Sequence, residues 1–222
     1  MNKKILHVPL TIWLLFVASS LVFIFFAQID IFVSNLFYDG KGFPLNGTIF
    51  EGIFYFSVKP LIIAFSLGAL LIFLYNFFGK KNLFNINAKV ILYLLLTLGL
   101  APGLIVDSVL KENWERARPS QITQFGGDKA FSPAFIISDQ KGYSFVSGHV
   151  AGAFSLLAFA LLLKRQRTLW ISVVFIYGVL VSFARVSAGG HFLSDVVTSF
   201  FLVYIFTTIF YAWLIEEKNT HV

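Results

Sequence analysis

Residues 169–214 read LWISVVFIYGVLVSFA, then RVSAGGHFLSD, then VVTSFFLVYIFTTIFYAWL, so that two long apolar runs enclose a polar segment. A helix needs roughly 20 apolar residues to cross a bilayer, and each run therefore predicts a membrane-spanning helix. The polar segment then lies at a membrane boundary. Charged and ionisable groups there are costly, so Arg185, His191 and Asp195 mark a candidate functional site.

The composition of the whole chain agrees with a membrane protein. Of 222 residues, 58% are hydrophobic and only 13% are charged. The absence of cysteine excludes disulfides, thiolate catalysis and cysteine-ligated metal. The net charge of +6 forms no basic stripe or groove-reading motif, so nucleic-acid binding is not expected. We expect one integral-membrane domain over residues 1–222, with no cofactor and no metal.

Six apolar runs predict an all-α, six-helix transmembrane bundle. The expected spans are 7–27, 49–78 (interrupted by Lys59-Pro60), 90–110, 145–163, 169–184 and 196–214. The first run is too long for a typical signal peptide, so it is interpreted as a retained anchor. A long loop, 112–144, joins spans three and four, and loops of that length usually carry function.

The distribution of Lys and Arg predicts the orientation. With the amino terminus inside, the cytoplasmic segments hold Lys3, Lys4, Lys80, Lys81, Lys89, Lys164, Arg165, Arg167 and Lys218. The outer segments hold Lys41, Lys111, Arg116, Arg118, Lys129, Lys141 and Arg185. When Lys111, Arg118 and Arg185, which are assigned below to a site, are left out, more Lys and Arg residues lie in the cytoplasmic segments than in the outer segments. Both termini are therefore expected in the cytoplasm, with the loop outside.

The segment 185–195 contains the elements of a nucleophilic site. His191 and Asp195 are four residues apart, so on a helix they share a face, and the carboxylate can accept a hydrogen bond from the imidazole. Arg185 offers a fork that binds phosphate through two hydrogen bonds. Gly189 and Gly190 let backbone approach closely. The alternative is a set of ordinary polar contacts at the membrane interface.

Two further stretches could contribute to the same site. Ser147-Gly148-His149 opens the fourth span, where helix N–H groups attract anions, Ser147 can cap the helix or donate to phosphate, and His149 can act as a general acid. The alternative is a plain Ser cap with an interfacial His.

The stretch 111–119, KENWERARP, supplies Lys111 and Arg118. A snorkelling role is the alternative for Lys111. Arg116 is expected as a solvated loop charge and Trp114 as an interface anchor.

In this order and with these spacings, Lys-x6-Arg-Pro, Ser-Gly-His and Arg-x5-His-x3-Asp resemble the type 2 phosphatidic acid phosphatase (PAP2) superfamily. Vanadium haloperoxidases and bacterial acid phosphatases carry the same signature, but they are soluble, and the hydropathy disfavours both. Segments 101–106, 124–131 and 144–148 resemble the bacterial lipid A phosphatases, in the branch that removes the 4′-phosphate. Val146 stands where the family usually has proline, which should alter loop stiffness more than chemistry.

The resemblance implies a PAP2-like helical core and a role for each motif residue. His191 would attack phosphorus and form a phosphohistidine, Asp195 would orient it, and His149 would protonate the leaving oxygen. The groups expected to hold the phosphate are Lys111, Arg118, Ser147, Gly148 and Arg185. Fixed cations would then replace a metal ion in stabilising the phosphoryl group. The implied location is the bacterial inner membrane, with the site facing the periplasm.

Several functions remain open from the sequence. The same chemistry fits an undecaprenyl-diphosphate or phosphatidylglycerophosphate phosphatase, or a phosphotransferase between lipids. A non-catalytic protein that binds or moves lipids is a different class of alternative. The expected partner is a membrane lipid substrate, and the sequence makes no prediction of oligomeric state.

Overall fold

The computed structural model describes residues 3–100, 102–103 and 111–216. A small antiparallel pair, β1 (Lys4–Ile5) and β2 (Val8–Pro9), precedes the helices. The helices of the described residues include α1 (Leu10–Phe25), α2 (Gln28–Asn35), α3 (Ile49–Gly79), α4 (Ala88–Leu98), α5 (Lys111–Trp114), α6 (Gly148–Ser155), α7 (Leu157–Leu162), α8 (Arg167–Ser187) and α9 (Leu193–Leu214). The expectation of a mainly helical protein is confirmed.

Three of these helices are long and apolar enough to cross a membrane, namely α3, α8 and α9. A fourth span results only if α1 and α2, which are bent by 86° at residues 26–27, are counted as one. Six spans were expected, so the count in the described residues is lower. The third expected span begins as α4, but residues 101 and 104–110 lie outside the described part of the chain.

The fourth expected span is not confirmed, and several of its apolar residues are buried in protein. The helices α6 and α7 together cover only residues 148–162, about 22 Å, whereas the hydrocarbon layer is about 30 Å thick. Val150, Ala151 and Ala153 have no exposed surface.

The helix α3 runs through Lys59-Pro60 without a break, so the interruption expected there is wrong. The Thr48 hydroxyl caps the helix by accepting the Glu51 N–H at 3.3 Å. The helix ends where Lys80 adopts the left-handed conformation, with φ 49°. A proline inside a helix removes one backbone hydrogen bond, but the flanking apolar residues keep this segment helical. Its 31 residues make α3 the longest helix described.

The helix α9 lies at the centre of the bundle and packs against α1, α2, α4, α6 and α7. Its apolar side forms the main core with α6 and α8, where Phe154 fills the space left by the missing side chain of Gly178. The first turn of α9 therefore lies close to the first turn of α6, to α2 and to the loop that follows α5. These are the segments that carry the predicted site.

Candidate active site

His191 lies just before α9 and is almost completely buried, with 2% of its surface exposed. Its Nδ1 atom is 2.8 Å from the backbone carbonyl oxygen of Ser144. A carbonyl oxygen can only accept a hydrogen bond, so Nδ1 carries the proton. The Nε2 atom then holds a lone pair and is the nitrogen able to act as a nucleophile.

Asp195 does not make the hydrogen bond that the sequence predicted. Its Oδ2 atom is 3.6 Å from Nδ1 of His191, beyond hydrogen-bonding distance. The carboxylate instead accepts the Ser144 hydroxyl at 2.6 Å and the Phe192 N–H at 2.8 Å. The physical reason is that His191 precedes α9, so the four-residue helical spacing does not apply. Asp195 holds Ser144, and the Ser144 carbonyl holds the imidazole.

Arg185 lies in the last turn of α8 and is 6% exposed. It forms an ion pair with Glu51 of α3, and its guanidinium carbon lies 4.7 Å from the centre of the Tyr55 ring. A side chain at Gly190 would place Cβ 2.3 Å from Nη2 of Arg185, so only glycine leaves room for the guanidinium. The backbone N–H of Gly190 also donates to the Arg185 carbonyl at 3.0 Å.

His149 lies in the first turn of α6, and its ring stacks on Tyr55 with 4.0 Å between ring centres. Tyr55 therefore contacts both His149 and Arg185. His149 also lines a cavity of about 310 Å³ together with Tyr55, Phe56, Lys59 and Pro60. A molecule in this cavity would be in contact with the imidazole expected to act as an acid.

Ser147 immediately precedes α6, but its hydroxyl does not cap the helix, so that part of the prediction is wrong. The hydroxyl is buried and has no hydrogen-bond partner within the described residues. Buried polar groups nearly always have a partner, and a bound anion beside the Gly148 N–H would supply one. The second role predicted for Ser147, donation to a phosphate oxygen, fits this environment.

The chain just after the stretch 111–119 is held to the segment 185–195 by a backbone hydrogen bond. The N–H of Ser120 donates to the Gly189 carbonyl at 3.1 Å, which places Arg118 beside the segment that carries His191. Arg118 is half-buried, and the Gln121 side chain accepts its backbone N–H at 3.0 Å. Lys111 begins α5, but its side chain lies outside the described part of the structure.

Two serines connect the region of Ser147-Gly148-His149 with the segment 185–195. Ser199 donates to the Asp195 carbonyl at 2.8 Å and lies 3.0 Å from the Ser147 carbonyl. Ser144 contacts both His191 and Asp195, as described above. Among residues whose side chains are described, the structure thus brings together His149, Ser147, Gly148, Arg185, His191, Asp195 and the Arg118 segment.

The match to a family profile agrees with this arrangement. The profile of the PAP2 superfamily matches residues 90–218, which is more than half of the chain and includes all three stretches. The chain belongs to the PAP2 superfamily.

Similar proteins extend this match over most of the PAP2 chain. It is 37% identical over 205 residues to the Lipid A 4′-phosphatase of Francisella tularensis subsp. novicida (strain U112), covering 89% of this chain and 91% of that protein. It is 34% identical over 197 residues to the Lipid A 4′-phosphatase of Rhizobium leguminosarum, covering 79% and 83%. The protein of that name from Rhizobium etli is 33% identical over 200 residues, covering 79% and 75%. No solved structure gives a significant match.

The electrostatic environment keeps the imidazole of this PAP2 protein neutral. Burial is the main cause that lowers the pKa of His191 to about 4, and the charges of Arg185 and Arg118 lower it further. The negative charge of Asp195 raises the pKa of His191, but by less than burial lowers it. At neutral pH the imidazole is therefore unprotonated and nucleophilic.

We predict that His191 does not take up a proton between pH 8 and pH 5. The unfolded chain would bind that proton near pH 6.5, so this residue removes stability from the folded state as the pH falls from about 6.5 toward 4. NMR of ¹³C-labelled imidazoles in detergent, assigned with His191→Ala, measures the titration of the four histidines. A His191 midpoint near 6.5 would contradict the prediction.

The sequence failed to identify several residues that hold the site. Arg116, expected in solvent, has no exposed surface and donates to Asp195 at 2.6 Å and to Asp30 at 2.8 Å. Glu51 and Tyr55 contact Arg185 from α3, as described above. Trp114, expected as an interface anchor, packs on the Phe145 ring with 5.1 Å between centres. The available signal was the presence of acidic residues in otherwise apolar segments, because such charges need partners.

Proposed function

We propose that this PAP2 protein removes the 4′-phosphate of lipid A, without a metal ion, through a phosphohistidine formed on His191. The observation that carries the proposal is the environment of that imidazole. It is buried and neutral, its Nδ1 proton is directed at the Ser144 carbonyl, and Arg185 is nearby.

The first chemical step forms a bond between Nε2 of His191 and phosphorus and breaks the bond from phosphorus to the sugar oxygen. His149, in its protonated form, donates a proton to the leaving oxygen, and the dephosphorylated lipid departs. In the second step, water attacks the phosphohistidine while neutral His149 accepts a proton from it. Inorganic phosphate leaves, and both imidazoles return to their starting states.

The phosphate oxygens would be held by fixed positive charges and N–H groups. Arg185 and Arg118 supply guanidinium groups, Lys111 an ammonium group, Ser147 a hydroxyl and Gly148 a backbone N–H. Charge on the transferring group is spread over three oxygens, so groups fixed in advance around them stabilise the transition state. This donor set is suited to an anion, and it requires no metal.

Three observations favour lipid A as the substrate. The relatives described above carry the name Lipid A 4′-phosphatase and share 33–37% identity with most of this chain. The apolar helices fit a membrane protein, and an embedded lipid could reach the site of such a protein laterally. The cavity beside His149 is bordered by the exposed cation Lys59, which would attract an anionic lipid. We place the protein in the bacterial inner membrane, with the site toward the periplasm and both termini in the cytoplasm.

The test is phosphate release by the purified protein in detergent and EDTA. We expect release from lipid A, none from undecaprenyl diphosphate or phosphatidylglycerophosphate, and none from the His191→Ala variant. Mass spectrometry of the product would identify the position of the lost phosphate. Fragment ions that retain the 4′-phosphate would contradict the assigned position.

Each other outcome rejects a particular part of the proposal. Activity lost in EDTA and restored by a divalent ion would reject the metal-free mechanism. Release from another lipid alone would reject the substrate but keep the mechanism. Transfer of phosphate to a second lipid would identify a phosphotransferase. No reaction with any lipid would favour a binding or transport protein.

A further inference from the structure

Four of the five N–H groups of Arg116 donate to acceptors among the described residues, and its side chain has no exposed surface. Nη1 donates to Asp195 at 2.6 Å and to the Ser194 hydroxyl at 2.8 Å. Nη2 donates to Asp30 at 2.8 Å, and Nε donates to the Ser132 carbonyl at 2.8 Å. The ring of Phe192 lies 4.3 Å from the guanidinium carbon. Arg116 therefore acts on the site only through its neighbours.

Asp30 is the second member of this buried cluster and comes from α2, far away in the sequence. Its Oδ1 atom accepts the Ser194 N–H at 2.9 Å, and Oδ2 accepts the Ser194 hydroxyl at 2.5 Å and Arg116. A carboxylate is favourable at the amino-terminal end of a helix, where the first N–H groups are unpaired. Asp30 thus holds the first turn of α9 through Ser194, which is the residue before Asp195.

We propose that Asp30 and Arg116 are positioning residues for the nucleophile, a role that rests on the proposed function. Arg116 binds Oδ1 of Asp195, which leaves Oδ2 directed at Ser144 and 3.6 Å from His191. Asp30 in turn holds Arg116 and the first turn of α9. The chain of contacts runs from Asp30 through Arg116 and Asp195 to the residue whose carbonyl orients the imidazole.

This orientation matters most when the bond to phosphorus forms. The imidazole becomes positively charged at that point, and the carboxylate 3.6 Å away stabilises it. A carboxylate free to rotate would release the Ser144 hydroxyl and alter the direction of the attacking nitrogen. Displacements of about 1 Å in such an arrangement can reduce a rate by about 10²-fold. The effect belongs to kcat, because none of these groups touches the substrate.

The charges of the cluster predict how substitutions combine. One guanidinium neutralises one of two carboxylates, and all three side chains are fully buried. Removing Arg116 leaves two buried carboxylates together, whereas removing the charge of Asp30 leaves a matched pair of Arg116 and Asp195. Arg116→Gln should therefore be more harmful than Asp30→Asn. The double variant should be less harmful than the two single effects combined.

The experiment measures kcat and KM for Asp30→Asn, Arg116→Lys, Arg116→Gln and Asp30→Asn/Arg116→Gln. The full-length protein is used in detergent, with lipid A and with p-nitrophenyl phosphate. We expect kcat to fall about tenfold in Asp30→Asn and about 10²-fold in Arg116→Lys, with KM changed less than about threefold. The same loss should occur with p-nitrophenyl phosphate, because its good leaving group does not relieve a misdirected nucleophile. Phosphohistidine formation should slow equally in a rapid-quench measurement.

Matched controls separate positioning from folding. Asp39→Asn and Arg165→Gln remove exposed charges outside the cluster and should leave kcat unchanged. Thermal unfolding and gel filtration give the folded fraction used to correct each rate. Wild-type kcat in folded Asp30→Asn and Arg116→Lys would overturn the proposal, as would a failure of both to fold, which would assign the pair to the fold alone. Inactive wild-type protein would instead reject the proposed function.

Discussion

Replacing His191 by asparagine should abolish phosphate release from lipid A, with kcat reduced by at least about 10⁴-fold. The asparagine amide can still donate to the Ser144 carbonyl, so it keeps the local hydrogen bond that Nδ1 makes at 2.8 Å. What it lacks is the nucleophilic nitrogen. The rate is measured as inorganic phosphate released per folded enzyme. Phosphoprotein trapped in the wild type is identified as phosphohistidine if it is stable in base and labile in acid.

His7→Asn is the control for this prediction, because His7 is exposed in the turn between β1 and β2 and takes no part in the site. It should retain the wild-type rate. Substantial turnover by folded His191→Asn would reject His191 as the nucleophile and with it the two-step mechanism. Normal turnover combined with no trapped intermediate would favour direct attack by water.

Replacing Arg185 by glutamine should reduce kcat/KM by about 10²–10³-fold. The substitution removes a cation expected on the phosphate, and it leaves Glu51 buried without its partner. An unpaired buried carboxylate is unfavourable by itself, and here it would also repel the substrate. Arg185→Gln/Glu51→Gln should therefore recover part of the lost activity, which a simple loss of a phosphate contact would not allow.

Steady-state kinetics with both variants and with Glu51→Gln completes a double-mutant cycle. Arg165→Gln, an exposed arginine just before α8, is the matched control and should behave as the wild type. A double variant no better than Arg185→Gln would show that Glu51 does not oppose substrate binding. Wild-type kcat/KM in Arg185→Gln would remove Arg185 from the phosphate site.

The sequence predicted best the features that depend on local pattern. The helices α8 and α9 contain the runs 169–184 and 196–214, because long apolar stretches have few alternatives to a membrane helix. The run 145–163 is not confirmed as a span, and hydropathy alone cannot separate contact with lipid from burial in protein. The bend between α1 and α2, which brings Asp30 to α9, has no pattern that would have predicted it.

Within the site, the motif side chains were predictable but their contacts were not. The acceptor that fixes the His191 tautomer is a backbone carbonyl, and every residue has one, so Ser144 carries no signal in the sequence. Arg116 was assigned to solvent because its partners, Asp30 and Asp195, come from distant helices. Asp30 lies in an otherwise apolar segment, and a charge in such a segment needs a partner of opposite charge. That requirement is the signal in the sequence that argues against a solvated Arg116.

In the membrane placement that we propose, the length of α3 would set the height of the reaction above the acyl chains. From Lys59 to Gly79 the helix covers about 31 Å, which matches the thickness of the hydrocarbon layer. If Lys59–Gly79 crosses the hydrocarbon layer, the part from Ile49 to Val58 extends about 15 Å further, and Glu51 and Tyr55 would lie at the level of the lipid headgroups. A phosphate on a membrane lipid would reach this level only if the lipid carries it among the headgroups. In this placement α3 would favour lipids whose phosphate lies at the headgroup level, in addition to those whose chemistry fits the site.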